Sequence, residues 1–262
     1  MNIIVLIKQV IDVELNLRIK DGALVEDGLN YVISSWDETA IEAALQLVET
    51  VGAGEVTLIT IGPERASDAL RKGLAMGADK AVHVLDSAFD GSDSFAYARG
   101  LAKLLETREY DLILAGKQAQ DTDAGLTPSM LAEFLGLPQV TNIVKVDQAE
   151  EGKMVLHRKG DHGNEVIELT LPAVVSVNDS LNEPRLASLR GIMQAKKKPM
   201  ETMDLAAIGG DASLVGESGR QTKIISLLEP EARQAGKKFE GSEEETSKQV
   251  IDLLLNEAKI FA

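Results

Sequence analysis

The residue types that do covalent chemistry are scarce in this chain and badly spaced for it. His83 alternates with Val82 and Val84, His157 sits between Leu156 and Arg158, and His162 lies in the turn-like Lys159-Gly160-Asp161-His162-Gly163. None of the three falls in an HxxxH or HExxH spacing, so no metal site is expected. No GxSxG elbow supports a serine nucleophile. There is no cysteine, which removes disulfides, thiolate metal sites, cysteine-ligated iron–sulfur clusters and a cysteine nucleophile. No catalytic residue is expected. Two other stretches suit recognition instead. Gly116-Lys117-Gln118-Ala119-Gln120-Asp121-Thr122-Asp123-Ala124-Gly125-Leu126-Thr127 offers a glycine for close backbone approach, loop N–H groups, the Thr122 and Thr127 hydroxyls and the start of a following helix. That is a workable phosphate cradle, provided Asp121 and Asp123 point away or cap the loop. The GxxxxGK[ST] and GxGxxG patterns are absent, and a plain strand-to-helix connection reads at least as well. The second stretch, residues 181–198, presents Leu186, Leu189, Ile192 and Met193 among Arg185, Arg190 and the triplet Lys196, Lys197 and Lys198. Aliphatic knobs beside cations suit docking on an acidic protein surface. On spacing alone, a core helix ending in a solvated basic tail is the commoner outcome.

These segments need elements to position them, and the apolar pattern supplies an alternation of strand and helix. Ile3–Ile7 is a continuous apolar run, Val56–Ile61 and Ala81–Leu85 follow, and Leu112–Ala115 is the fourth. Between them, helices are expected over about Asp37–Thr50, Glu64–Met76 and Ser92–Glu106, and a fourth over Thr127–Leu135. Ser34 or Ser35 is expected to cap the first, Gly77 to stop the second, and Thr127 with Pro128 to start the fourth. Residues 13–33, with Asp21-Gly22 and Asp27-Gly28, read as a hairpin-like excursion. Beyond Thr141 the runs Ile143–Val146, Val155–Arg158, Val166–Leu171 and Ala173–Val177 read as antiparallel additions and a last sheet strand. The fold class expected is α/β: an open, mainly parallel, Rossmann-like sheet with flanking helices and an extended C-terminal arm. Residues 1–208 are expected to form the domain, with 209–221 as a linker and an amphipathic helix over Ser242–Ile260 begun by a Ser242/Glu245 capping box. In such a sheet a ligand binds at the carboxyl ends of the strands, near Leu6–Lys8, Ser34–Asp37, Ile61-Gly62 and Gly116–Thr127.

Composition bounds the partners. Of 262 residues, 44% are hydrophobic but only 3% aromatic, so the core is aliphatic, as in parallel sheets covered on both faces. A net charge of −15 makes nucleic acid an improbable partner and makes the lysine triplet stand out. The N-terminal MNIIVLIKQV lacks a basic region or cleavage pattern and reads as a buried strand. With no run near the roughly 20 apolar residues of a membrane span, a cytoplasmic protein without direct membrane insertion is expected.

The same residues carry a resemblance. Asn182-Glu183-Pro184-Arg185, then Ala187-Ser188-Leu189-Arg190-Gly191-Ile192-Met193, then Ala195-Lys196-Lys197-Lys198 resemble the signature of the β (small) subunit of electron transfer flavoproteins. Lys8-Gln9-Val10, Ala75-Met76-Gly77-Ala78-Asp79 and Gly116-Lys117-Gln118-Ala119 agree in order and spacing, so the resemblance spans Met1 to about Ile208 and, more loosely, the tail. It implies a heterodimer whose alpha subunit holds most of the FAD site. The beta subunit would bind AMP without transforming it and dock acyl-CoA or related flavoprotein dehydrogenases. Electrons would pass on to a quinone reductase or another acceptor. Carried over residue by residue, AMP contacts fall on Leu6, on Ser34, Ser35, Trp36 and Asp37, on Ile61, and on Gly116 to Thr127. The partner-recognition loop is implied to be anchored by Leu189. Ser34-Ser35 departs from the Asn-Pro common in the family, and Val13 stands near the flavin where relatives are often aromatic. A bifurcating subgroup binds a second FAD in place of AMP and typically reads D-G-D-T where this chain has Asp121-Thr122-Asp123-Ala124; the threonine argues for AMP. A nucleotide-binding α/β enzyme with 181–198 as a lid, and a stress-type ATP-binding homodimer, remain alternatives from other classes.

Overall fold

The computed structural model describes residues 1–12, 14, 17–150, 152–229 and 236–260. Val13 lies outside them, as does part of the tail. In chain order, β1 (Asn2–Leu6) leads into four short strands, β2 (Gln9–Ile11), β3 (Ile19–Lys20), β4 (Ala23–Leu24) and β5 (Tyr31–Ile33). Then come α1 (Ser35–Val51), β6 (Glu55–Ile61), α2 (Ser67–Met76), β7 (Lys80–Val84), α3 (Ser94–Leu105), β8 (Leu112–Gly116) and α4 (Thr127–Leu135). The second half holds β9 (Gln139–Glu150), β10 (Lys153–Gly160), β11 (Gly163–Thr170), β12 (Ala173–Val177), α5 (Leu189–Ala195), β13 (Met200–Met203), α6 (Gly216–Gly219) and α7 (Glu243–Asn256).

Nine strands form one sheet in the order β11-β10-β9-β12-β8-β1-β6-β7-β13. From β9 to β13 all neighbours run parallel, and β10 and β11 add an antiparallel hairpin at the β9 edge. This is the expected α/β class. Alternate strand residues serve opposite faces, as the pleat requires. Ile3, Val5 and Leu58 pack with Ile41, Leu45, Leu70 and Leu74 of α1 and α2. Ile4, Leu6 and Ile59 pack with Leu101 and Leu105 of α3 and Leu131 of α4. Each face thus becomes a dry core, and the chain needs few aromatics to fill it.

Strand order fixes where a ligand can enter. From β1 the chain builds outward through β6 and β7, then returns to place β8 on the other side of β1. The sheet's switch point therefore lies between the carboxyl ends of β1 and β8, where the connections diverge and leave a crevice.

Some local expectations are corrected. Ser34 stands at the N-cap of α1, but its buried hydroxyl makes no capping bond and has no partner. Thr127 is the first residue of α4 instead of its cap; Leu126 holds the cap position and supplies no side-chain acceptor. Residues 209–221 are not an open linker. Gly216 N–H donates to Ser92 Oγ at 2.8 Å, and the Asp93 carboxylate accepts from the N–H groups of Gln221 and Thr222 at 2.7 and 2.8 Å. Gly216, at φ 61, lies so near the Ala88 carbonyl that a Cβ would stand 2.3 Å from it. The small residues that resemble a linker are there because the segment packs closely. The edge strand β13 escaped notice because it is short and only half-buried. The capping box of α7 is present as expected.

Candidate functional site

The crevice is built around Asp37, in the first turn of α1. Its side chain is buried, with one oxygen accepting the Lys8 N–H at 2.8 Å and the other the Gly116 N–H at 3.2 Å. One carboxylate therefore joins the ends of β1 and β8 across the switch point. Burial pushes its pKa up to about 7, against the two backbone bonds and the Lys8 charge, with the Asp121 charge adding to the rise. Gly116 is tight for a reason internal to the chain. A Cβ there would stand 2.6 Å from both Asp37 Oδ1 and Trp36 Cβ. The close approach that this glycine permits is that of α1, a reason for glycine beside the one expected from the sequence.

The 116–127 loop folds over this floor with its acidic groups engaged. Asp121 accepts the Lys8 ammonium on both oxygens, at 2.8 and 2.7 Å. Asp123, at φ 49, accepts from Gln118 Nε2 at 2.8 Å. The Thr122 hydroxyl donates to Asp121. Gln120 Oε1 accepts the Ser35 N–H at 3.1 Å, so the start of α1 already has an acceptor. The start of α4 has none from Leu126. The N–H groups of Thr127 and Ser129 (Pro128 has none) and the left-handed backbone at Gly125, φ 61, are what an anion would meet. Asp121 is thus tied to Lys8, and Asp123 is held within the loop by Gln118. Lys117 places its ammonium 5.7 Å from the Trp36 ring centroid. The Leu6 side chain is buried in the α3–α4 core and Ile61 packs against that core, so both bring mainly backbone to the crevice. Lys8, at the end of the Leu6–Lys8 segment, balances Asp121, a pairing that nothing local in the sequence announces.

The 181–198 segment lies elsewhere, on the α1–α2 face, and it is rigidly held. Arg185 donates to Glu42 through Nε at 2.7 Å and to Glu49 through Nη1 at 2.7 Å. Glu42 is almost fully buried; burial opposes its ionisation, but the Arg185 and Gln46 bonds outweigh this and hold its pKa below the usual carboxylate range. Asn182 Nδ2 donates to the Thr39 carbonyl at 3.1 Å. Ser188 caps α5 by accepting from Gly191 N–H. Gly191 rests on α2 so closely that a Cβ would meet the Ala75 carbonyl at 2.4 Å. Arg71 Nη1 donates to the Ala195 carbonyl at 2.8 Å. The Lys198 ammonium donates to the carbonyls of Leu74, Gly77 and Ala78 at 3.0, 3.2 and 2.6 Å. That is a cation closing the negative end of α2. Lys198 therefore belongs to the anchoring of the segment, while Lys196, Lys197 and Arg190 are exposed.

On this fixed base, α5 turns its apolar side outward. Leu186 is 95% exposed, Leu189 84%, Met193 72% and Ile192 46%. The core-helix alternative is thereby corrected: Ala195 is the only buried residue of α5. The histidines take structural positions, His83 buried with Nε2 3.0 Å from the Gly62 carbonyl, and His157 beside Asp147. Among the described residues, no group of three or more histidine, aspartate or glutamate side chains is arranged to hold a metal ion. Nor is any helix among them long and apolar enough to cross a membrane.

Fold and crevice define a doubly wound α/β domain whose surface helix is built for display and not for its own core. The comparisons make this class specific. Residues 21–208 match the family model described as the electron transfer flavoprotein domain, and the chain belongs to that family. A Mycobacterium tuberculosis protein named electron transfer flavoprotein subunit beta is 41% identical over 97% of both chains. Proteins of the same name from Bacillus subtilis and Megasphaera elsdenii are 37% and 34% identical, over the full length of both chains and 90% of both chains. The chain therefore stands with the beta subunits, which implies an alpha-subunit partner and a flavin in the assembled electron carrier.

Proposed function

We propose that this chain is the AMP-holding, partner-docking half of a heterodimeric electron carrier. The observation that carries the reading is the display of Leu186, Leu189 and Met193 on a segment fixed from beneath by Arg185, Gly191 and Lys198. An exposed aliphatic group on a rigid support loses little entropy on docking, so it is suited to fill a pocket on another protein. Arg190, Lys196 and Lys197 around it steer encounter with an acidic rim. In this reading the partner is an acyl-CoA or related flavoprotein dehydrogenase, and the electrons leave for a quinone reductase or another acceptor.

AMP is assigned to the crevice between β1 and β8. The open start of α4 and the backbone around Gly125 would hold its phosphate, with Asp121 paired to Lys8 and Asp123 held within the loop by a hydrogen bond from Gln118. FAD, held mostly by the alpha subunit, supplies the one- and two-electron chemistry when bound. The residues of this chain bind, orient and dock, and none is required as a general acid or base. The tail is assigned to the alpha subunit. Ile224, Ile225, Leu228, Ile251 and Leu255 are exposed, and α7 has no buried residue to hold it as an isolated element.

The test is flavin reduction in the co-expressed heterodimer, followed by flavin absorbance. A substrate-reduced flavoprotein dehydrogenase should bleach the flavin at catalytic concentrations. Reduction by dithionite but by no such dehydrogenase would sink the docking assignment.

A further inference from the structure

We propose that Asp37 is the positioning residue of the nucleotide crevice: its carboxylate staples the end of β1 to the end of β8, and neutralising it loosens adenine-nucleotide binding. This rests on the assignment of the nucleotide to that crevice.

The geometry is specific. Two backbone N–H groups, from Lys8 and Gly116, converge on the two oxygens of one buried carboxylate. Lys8 follows the end of β1 and Gly116 ends β8, neighbouring strands whose onward connections lead to opposite sides of the sheet, so the side chain fixes the gap through which a ligand would enter. The surrounding shape commits the site to this role: Gly116 has no room for a Cβ because Asp37 and Trp36 fill that space. An ionised carboxylate accepts on both oxygens, whereas a neutral acid turns one oxygen into a donor. Facing two N–H donors, the neutral form keeps one bond and leaves the other N–H unpaired in a buried place, which the crevice relieves by moving.

The charges around Asp37 come from every element that meets it. Lys8, from β1, carries its ammonium to Asp121. Asp121 and Lys117 come from the loop after β8, Lys117 lying over Trp36. On α1 itself Glu38 is paired with Lys72 of α2. Burial raises the Asp37 pKa more than Lys8 lowers it, to about 7, so the carboxylate changes charge within the ordinary working range of pH. The stability sign is that of a raised carboxylate. The contribution of Asp37 is fully present below its unfolded value near 3.8 and is lost as pH rises through about 7. The fold and the nucleotide therefore ask for opposite protonation states, as is common where stability is traded for a working site.

Simple electrostatics predicts the other sign for binding. Neutralising a carboxylate near an anion should tighten AMP; breaking the staple should weaken it. Adenosine, which carries no phosphate, separates the two. The experiment measures AMP and adenosine affinity in nucleotide-stripped heterodimer from pH 8 to pH 6, for wild type and Asp37→Asn. If the ionised form alone is competent, the wild-type apparent Kd rises about tenfold over that range for adenosine as well as AMP. Asp37→Asn places an amide donor against an N–H and mimics the neutral acid. It should bind adenosine more than about tenfold more weakly than wild type at pH 8, with a flat profile that stays weaker than wild type down to pH 6. If the variant does not assemble, the wild-type adenosine profile decides by itself. A flat wild-type profile, tightening on acidification, or parallel profiles for the two proteins would each overturn the staple while leaving the nucleotide site standing. Failure of wild type to bind AMP or adenosine at any pH would overturn both.

Discussion

Truncating Leu189 to alanine separates docking from folding. In the isolated chain the side chain is 84% exposed, so its removal costs the fold no more than about 0.5 kcal/mol, as for most surface changes. For a domain of this size that is a melting shift of about 1 °C. Docked, the same side chain would be fully buried in a partner pocket, where a leucine contributes about 1.5–3 kcal/mol and central anchors reach 2 kcal/mol or more. A loss of about 2 kcal/mol is roughly a 30-fold weaker encounter complex. The assay is stopped-flow reduction of the heterodimer's flavin by a substrate-reduced dehydrogenase, at partner concentrations below saturation. The rate should fall roughly 30-fold, and raising partner concentration should restore much of it, since the flavin itself is untouched. Dithionite reduction, FAD content and AMP content should match wild type. A Leu189→Ala protein that loses nucleotide, or melts many degrees lower, would refute the reasoning by showing that the side chain packs within the assembly. An unchanged partner-driven rate would refute the docking role itself.

Four further outcomes follow from the same contacts. Arg185→Ala leaves Glu42 buried without its cation and should cost about 3–5 kcal/mol in denaturant unfolding, part of it recovered by adding Glu42→Gln. Lys198→Met removes a charged donor from three carbonyls and should cost about 1.5–3 kcal/mol, whereas Lys197→Met should leave stability unchanged and flatten the salt dependence of the partner-driven rate. Burial opposes ionisation of Asp93, but the Ala96, Thr222 and Gln221 bonds outweigh it and lower its pKa. Its stabilising effect is therefore present above pH 3.8 and lost as pH falls through the lower folded value, so amide protection of residues 211–222 should drop in that acid range, and in Asp93→Ala at neutral pH. Hydrogen exchange should find residues 236–260 weakly protected in the isolated chain and protected in the heterodimer; equal, strong protection in both would refute their assignment to the alpha subunit.

The strands and main helices were legible because their signal is local. Continuous apolar runs such as Ile3–Ile7 and the stripe Ala40, Ile41, Ala44 and Leu45 report burial residue by residue, and the structure puts them in the core. What stayed hidden depends on contacts between distant residues. The Ala75–Asp79 and Ala187–Lys198 motifs are separate in sequence, yet they form one joint: Gly191 rests on the Ala75 carbonyl and Lys198 closes the end of α2. Gly116 announced close approach, but nothing local said that the approaching group was α1. The 209–221 stretch misled for the same reason, since glycine and serine look alike in a loose linker and in a tight turn. Lys8 and Asp37 fell within the segments that topology placed at the switch point, but their pairings, with Asp121 and with the Lys8 and Gly116 N–H groups, did not show. Each is a charged residue just past, or opposite, a strand end at the predicted switch point, in places where an aliphatic core offers no other reason for a charge.

The nucleotide content of the assembled protein tests the central claim most directly. Heterodimer purified after co-expression with an alpha subunit is acid-extracted, and the released nucleotides are separated and counted against protein. The account predicts FAD and AMP in equal amounts, about one of each per heterodimer, as expected for a flavin in one subunit and a structural nucleotide in the β1–β8 crevice of the other. About two FAD and no AMP would contradict it and place a second flavin where the AMP has been assigned.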